Sequence, residues 1–211
     1  YFKFRNNQTI ATSFEYFSMG SITFTAAVGN PIGQYNPREF AYDISYVRWL
    51  AEKFSMALSA RYIRSNLTSG VPVNGSASHD GESIAGDLSA NYRAVTSFLG
   101  KPVIISTGIN ISNVGSKISY TDTLNKDFIP INLRIGQAAD FIIDDYNTIS
   151  FCFDLNKLLV PTPPVYQLNS SGTSTGVILY GKDPDVSVPQ GMLQSFTDAP
   201  VIDSKSVMSL I

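Results

Sequence analysis

The sequence predicts an all-β protein, an antiparallel β-barrel that crosses the outer membrane, and three observations predict it. The dominant period along the chain is two rather than 3.6. One parity of that alternation is apolar and uncharged, while the other is small and polar. Short and long connections alternate, as they do between the two ends of an outer-membrane barrel.

Taken in order, the apolar parity begins with Ile10, Thr12, Phe14 and Tyr16, then Phe40, Tyr42, Ile44 and Tyr46. It continues through Phe54, Met56, Leu58, Ala60 and Tyr62, and through Ile84, Gly86, Leu88, Ala90 and Tyr92. Val103, Ile105, Thr107, Ile109 and Ile111 follow, then Ile131, Leu133 and Ile135, and finally Ile149, Phe151, Phe153 and Leu155. None of these 30 positions is charged. With residues 1–4 ending one more, eight strands are expected. The opposite parity is mostly Ser, Ala, Gly, Asn and Asp, with Phe17 and Ile104 as large exceptions. A soluble sandwich would turn the apolar parity into a core and wet the other. Three features favour a barrel, with lipid on the apolar side. The polar parity lacks Lys and suits a crowded interior. Tyr16, Tyr46, Tyr62 and Tyr92 stand at strand ends, where an interfacial girdle lies. The connections supply the third feature: short at 5–8, 50–53 and 139–147, intermediate at 94–102, and long at 26–37, 65–83, 113–130 and 157–203.

Composition limits the function classes. The chain has 211 residues, 15% of them charged, and a net charge of −2, so it lacks the basic footprint of a nucleic-acid binder. One Cys excludes a disulfide framework, and one His excludes multi-histidine metal centres. No apolar run approaches the ~20 residues of a membrane helix. The pattern begins inside an alternating stretch at Tyr1 and stops at Val207–Ile211 without a closing strand. The expectation is therefore one barrel domain over 1–211, an internal piece with its N-terminal segment and closing strands outside it. No motif implies a cofactor.

Several segments carry a family resemblance. YFSMGSITFT with GNPIGQYNPREFAYDISY (16–46), NISNVGSKISY (110–120), DYNTISFCFDLNKLLVPTPP (145–164) and DPDVSVPQGMLQSFTDAP (183–200) resemble the PorV family, in the same order. These are outer-membrane components of the type IX secretion system, within the FadL superfamily of barrels. The resemblance implies a fourteen-stranded barrel that is neither an enzyme nor primarily a pore. It implies docking on the translocon barrel SprA (Sov) and receipt of cargo bearing a C-terminal signal domain. It also implies delivery to the cell-surface attachment complex containing PorU, in a Gram-negative outer membrane with the long loops outside. A FadL-like transporter of hydrophobic small molecules and a lipopolysaccharide O-deacylation factor are the alternatives.

The residues weigh those readings. Six of the eleven prolines lie in 157–203, beside Val186, Val188, Met192, Leu193 and Phe196. An exposed apolar loop stiffened by Pro is a liability unless it packs on something. This loop is the expected partner-binding element, with Met192 and Phe196 as anchors and a fixed, non-helical shape over 183–200. Tyr120, Phe128 and Ile129 of the 113–130 loop are expected beside it. Glu15, Asp43, Asp87 and Asp154 face inward with Arg61, Arg93 and Arg134. Four acids against three bases favour internal ion pairs that fill a closed lumen over a selectivity lining. Cys152 points inward as packing. His79 lies in a Gly/Ser-rich stretch with Ser76, Ser78 and Asp80 and reads as a solvated loop, since a triad needs fixed geometry. Asp183-Pro184-Asp185 reads as a turn rather than a calcium site. Asp144-Asp145 also reads as a turn signal. The mostly polar inward face counts against a continuous apolar transport path.

Overall fold

The computed structural model describes all residues except 6, 26–27, 69, 71–76, 122–125, 203–204 and 207–211. Ser76 and the terminal stretch from Val207 therefore lie outside the described residues. Eight strands form one antiparallel sheet: β1 (Phe2–Arg5), β2 (Gln8–Ser18), β5 (Arg38–Ala51), β6 (Phe54–Asn66), β7 (Gly81–Phe98), β8 (Lys101–Gly115), β9 (Asn132–Ile142) and β10 (Thr148–Leu158). Their spatial order is their chain order, with β1 and β10 at the two edges. Two hairpins lie in the long connections, β3–β4 (Ile22–Thr25, Pro31–Tyr35) and β11–β12 (Val165–Leu168, Ser174–Tyr180). A last two-residue pair, β13–β14, joins Val201–Ile202 to Lys205–Ser206.

The connections alternate strictly. At one end of the sheet Arg5 pairs with Gln8, Ala51 with Phe54 and Phe98 with Lys101, and Ile142 pairs with Thr148 across a slightly longer turn. The other end carries everything long. The 94–102 connection is shorter than its sequence suggests. β7 and β8 run on until only Leu99 and Gly100 remain between them, at φ 50° and 76°. Two positive φ values are what a tight hairpin needs to match strand twist, and Leu99 adopts one of them without being Gly.

Each face of the sheet keeps its parity. Phe14, Tyr42, Ile44, Leu58, Ile84, Leu88, Ile109, Phe151, Phe153 and Leu155 all stand exposed on one face. Leu58 is 62% and Phe151 66% exposed, so the sheet alone gives these side chains no cover. Soluble monomers do not leave such a band open to water. Register shifts occur beside two of the tight turns, at Lys3–Arg5 and Trp49–Ala51, and a β-bulge interrupts the β7–β8 pairing away from the turns. Gly86 pairs with Val114 and Leu88 with Ile111, so Ser112 and Asn113 together oppose Asp87. Asn113 sits at φ 60°. The extra residue returns Val114 to the apolar face and turns Asn113 towards the polar one.

The core lies at the loop end. Ala85, Ile129, Ile131 and Leu159 are buried together, and Ile63, Ile111, Ile118, Phe128, Leu133, Val160, Val188 and Met192 pack against them. Ile131 corrects the expectation that it faces lipid: it is 0% exposed. The chain turns sharply there, with Ile131 N–H donating to the Ile129 carbonyl at 2.7 Å, and the incoming loops cover it. The stretch 183–200 is also corrected, because it contains a seven-residue helix, α1 (Val188–Gln194), with Pro in its first turn. Pro supplies a helical φ where no N–H partner is needed.

Candidate functional site

The polar face of the sheet is organised around Arg61. Its Nε donates to Asp43 Oδ1 at 2.6 Å, and its Nη2 lies 3.5 Å from Asp87 Oδ2. Nη1 donates to Asn113 Oδ1. The bulge makes this last contact possible, because it swings Asn113 inward, and Asn113 N–H donates to Asp87 Oδ1 at 2.7 Å. Asn113 Nδ2 then donates to the Pro130 carbonyl at 3.1 Å. One guanidinium thus ties β5, β6, β7 and β8 together and fastens the 113–130 loop to the sheet. Fixed-fork donors suit Arg to this role better than Lys.

Above this node, towards the long loops, opens a cleft of about 810 Å³. Glu15, Phe17, Glu39, Ile63 and Ser65 line its sheet side, and Ile118, Tyr120, Phe128, Ile129 and Pro130 its loop side. Ser65 donates to Glu39 Oε1 at 2.5 Å, and the Tyr120 hydroxyl donates to Ser65 Oγ at 3.0 Å. The cleft is therefore a largely apolar, aromatic-walled opening with two carboxylates in its lining. A second recess of about 410 Å³ lies on the same face among Asn91, Asn110, Arg134, Cys152 and Asp154.

Residues 157–200 form a cap beside the cleft. Gly191 of α1 lies against the Phe128 ring, so close that a Cβ there would meet ring atoms at 2.7 Å. Lys117 Nζ stands 4.5 Å from the centroid of the Phe128 ring and 3.2 Å from Asp185 Oδ1. Asp198 is 1% exposed, accepting from Thr162 N–H at 2.7 Å and Thr162 Oγ1 at 2.8 Å. Lys157 Nζ donates to the Ser195 carbonyl at 2.8 Å. These contacts hold the cap in one shape without any long regular element.

The partner-binding residues expected from sequence separate in this arrangement. Ile129 is buried, and Phe128, Val188 and Met192 pack against the core. Tyr120 lines the cleft, and Val186 is half-buried. Leu193 and Phe196 point outward, 76% and 57% exposed. Of the inward charges, Asp43, Arg61 and Asp87 come together. Arg134 donates instead to Asn156 Oδ1 at 2.8 Å. The Asp154 carboxylate lies where a Cβ on Gly136 would be. Glu15, Arg93, Arg134 and Asp154 make no ion pair among the described residues, which narrows the expected network to Arg61 and its two acids. Asp80 pairs with Arg64 at 2.8 Å, while His79 Nδ1 lies 2.9 Å from the Asp80 backbone oxygen. Asp183 Oδ1 accepts from Asp185 N–H at 2.8 Å, a local turn. Asn113, Glu39 and Ser65 escaped the sequence reading. Phe17 gave the available signal, a large aromatic on the polar parity.

No helix among the described residues is long and apolar enough to cross a membrane, a fact with no bearing on strands. A search of curated proteins finds no match to the chain. The model of the family described as type IX secretion system protein PorV matches residues 1–165, which takes in the whole eight-stranded sheet, the Arg61 node and the cleft. With more than three quarters of its length so matched, the chain belongs to the PorV family of the type IX secretion system.

Proposed function

We propose that this chain forms part of a closed outer-membrane barrel whose long loops face the cell exterior and act as a non-enzymatic docking and transfer surface. In this reading it docks on the SprA (Sov) translocon, receives cargo through the C-terminal signal domain and hands it to the PorU-containing attachment complex. Closure follows from lipid: an open strand edge has no hydrogen-bond partner there, so β1 and β10 need further strands. The observation that carries the docking reading is the preformed cap. Leu193 and Phe196 are exposed on a segment already held by the Asp198–Thr162, Lys157–Ser195 and Gly191–Phe128 contacts. Pre-ordering lowers the entropy cost of association, and aromatic anchors commonly dominate such interfaces.

Double substitution Leu193→Ser with Phe196→Ser tests it, sparing the core residue Met192. Barrel level and heat stability should stay normal, while translocon and cargo copurification from detergent-solubilised outer membranes falls. Unchanged copurification and secretion would assign the cap a purely structural role.

A further inference from the structure

The cleft above Arg61 has a chemistry that the docking reading alone does not specify. Glu15 and Glu39 line it, and Asp43 and Asp87 hold Arg61, which lines it too. Four carboxylates face one guanidinium, so the cleft is anionic. Arg61 is the one cationic side chain among the described residues that line the cleft, and Lys117 on its loop side is engaged with Asp185. Among the described residues Glu15 makes no ion pair and no side-chain hydrogen bond. Phe17, Tyr120 and Phe128 supply aromatic and aliphatic-compatible walls. A concave low-dielectric site focuses the field of its charges. An anionic headgroup or fatty acid entering here would meet these carboxylates. A long cationic side chain would satisfy both features at once, its stem on the rings and its charge between the acids.

We propose that this cleft receives an Arg or Lys side chain carried on an extended segment of a partner protein, with Glu15 and Glu39 as its charge partners. The inference rests on the protein-docking reading and names the chemistry of one partner contact within it.

The test uses the full-length protein in detergent micelles and fluorescent hexapeptides that differ at one position between two phenylalanines: arginine, norleucine or glutamate. The arginine peptide should bind roughly tenfold more tightly than the norleucine peptide, a preference that Glu15→Gln with Glu39→Gln should abolish. Norleucine-peptide affinity should not change in that variant. If the double variant loses heat stability, Glu15→Gln alone is measured, because this carboxylate has no ion pair or side-chain hydrogen bond among the described residues. Equal binding of the arginine and norleucine peptides overturns the proposal, as does binding of none. A preference untouched by the substitutions, or displacement of the arginine peptide by decanoate, also overturns it. Cap-driven copurification is read separately in Leu193→Ser with Phe196→Ser. A lost peptide preference with intact copurification therefore keeps the two readings apart.

Discussion

The sheet and the cap solve burial in opposite ways. The sheet has long strands, nearly continuous hydrogen-bonded ladders and an exposed apolar face. The loops have little regular structure, yet they contribute most of the buried apolar cluster, Ile129, Ile131 and Leu159 with Ala85 of β7. A strand in lipid needs only its backbone paired and an apolar exterior. A loop in water must cover its own apolar side chains, so it builds a core from whatever reaches it. The two regions therefore owe their stability to different surroundings, and that difference can be tested.

The largest effect is expected in the cap. Ile131→Ala should destabilise the loop core by about 2–5 kcal/mol. Protease should then cut within 157–200 much faster while the strands stay protected. Loss of the whole barrel instead would mean that the two regions are one cooperative unit. On the sheet, Leu58→Arg should cost about 2–4 kcal/mol if it lies near the bilayer midplane, and Ser59→Arg on the opposite face much less. Urea unfolding in lipid vesicles measures both, and equal costs would erase the distinction between faces. The smallest effect lies at the turn end. Asp144 is held below the usual carboxylate range, chiefly by the Asn147 side-chain amide and then by the Tyr146 N–H. A depressed folded value gives stability that is present above the ordinary carboxylate range and lost as pH falls through the folded value. Amide-exchange protection across 143–147, taken relative to the intrinsic rate at each pH, should fall in acid, and Asp144→Asn should flatten that response.

The sheet was legible in the sequence because a period of two needs no tertiary information. All eight strands fall where the alternation puts them, from Phe2 to Leu158. The bulge was not read, although the apolar parity shifts from Ile111 to Val114 around an Asn, which is its signature. Helix α1 was missed because seven residues barely show a 3.6 period, though Pro189 just inside its start was a signal. Ile131 was misplaced because its burial depends on Leu159 and Met192, far away in sequence and brought near only by loop packing. The cleft was partly visible, in Phe17 and the inward acids. Its enclosure by Tyr120 and Phe128 was expected only as loop-to-loop packing.

Because each strand of the main sheet pairs with the main-sheet strand before it, no ladder has to wait for a distant part of the chain. Assembly can proceed as a queue, each tight turn at 5–8, 51–54 and 98–101 closing a hairpin that adds to the growing edge. Hairpins with two-residue turns close on the microsecond scale, roughly 1–10 μs. The slower joins are those spanning 18–38, 66–81 and 115–132, which carry the larger loop-closure entropy. The chain is thus arranged as preassembled pairs linked by long tethers. Delivery into a membrane two strands at a time suits that order, with the Arg61 node forming only once β5 to β8 have arrived side by side.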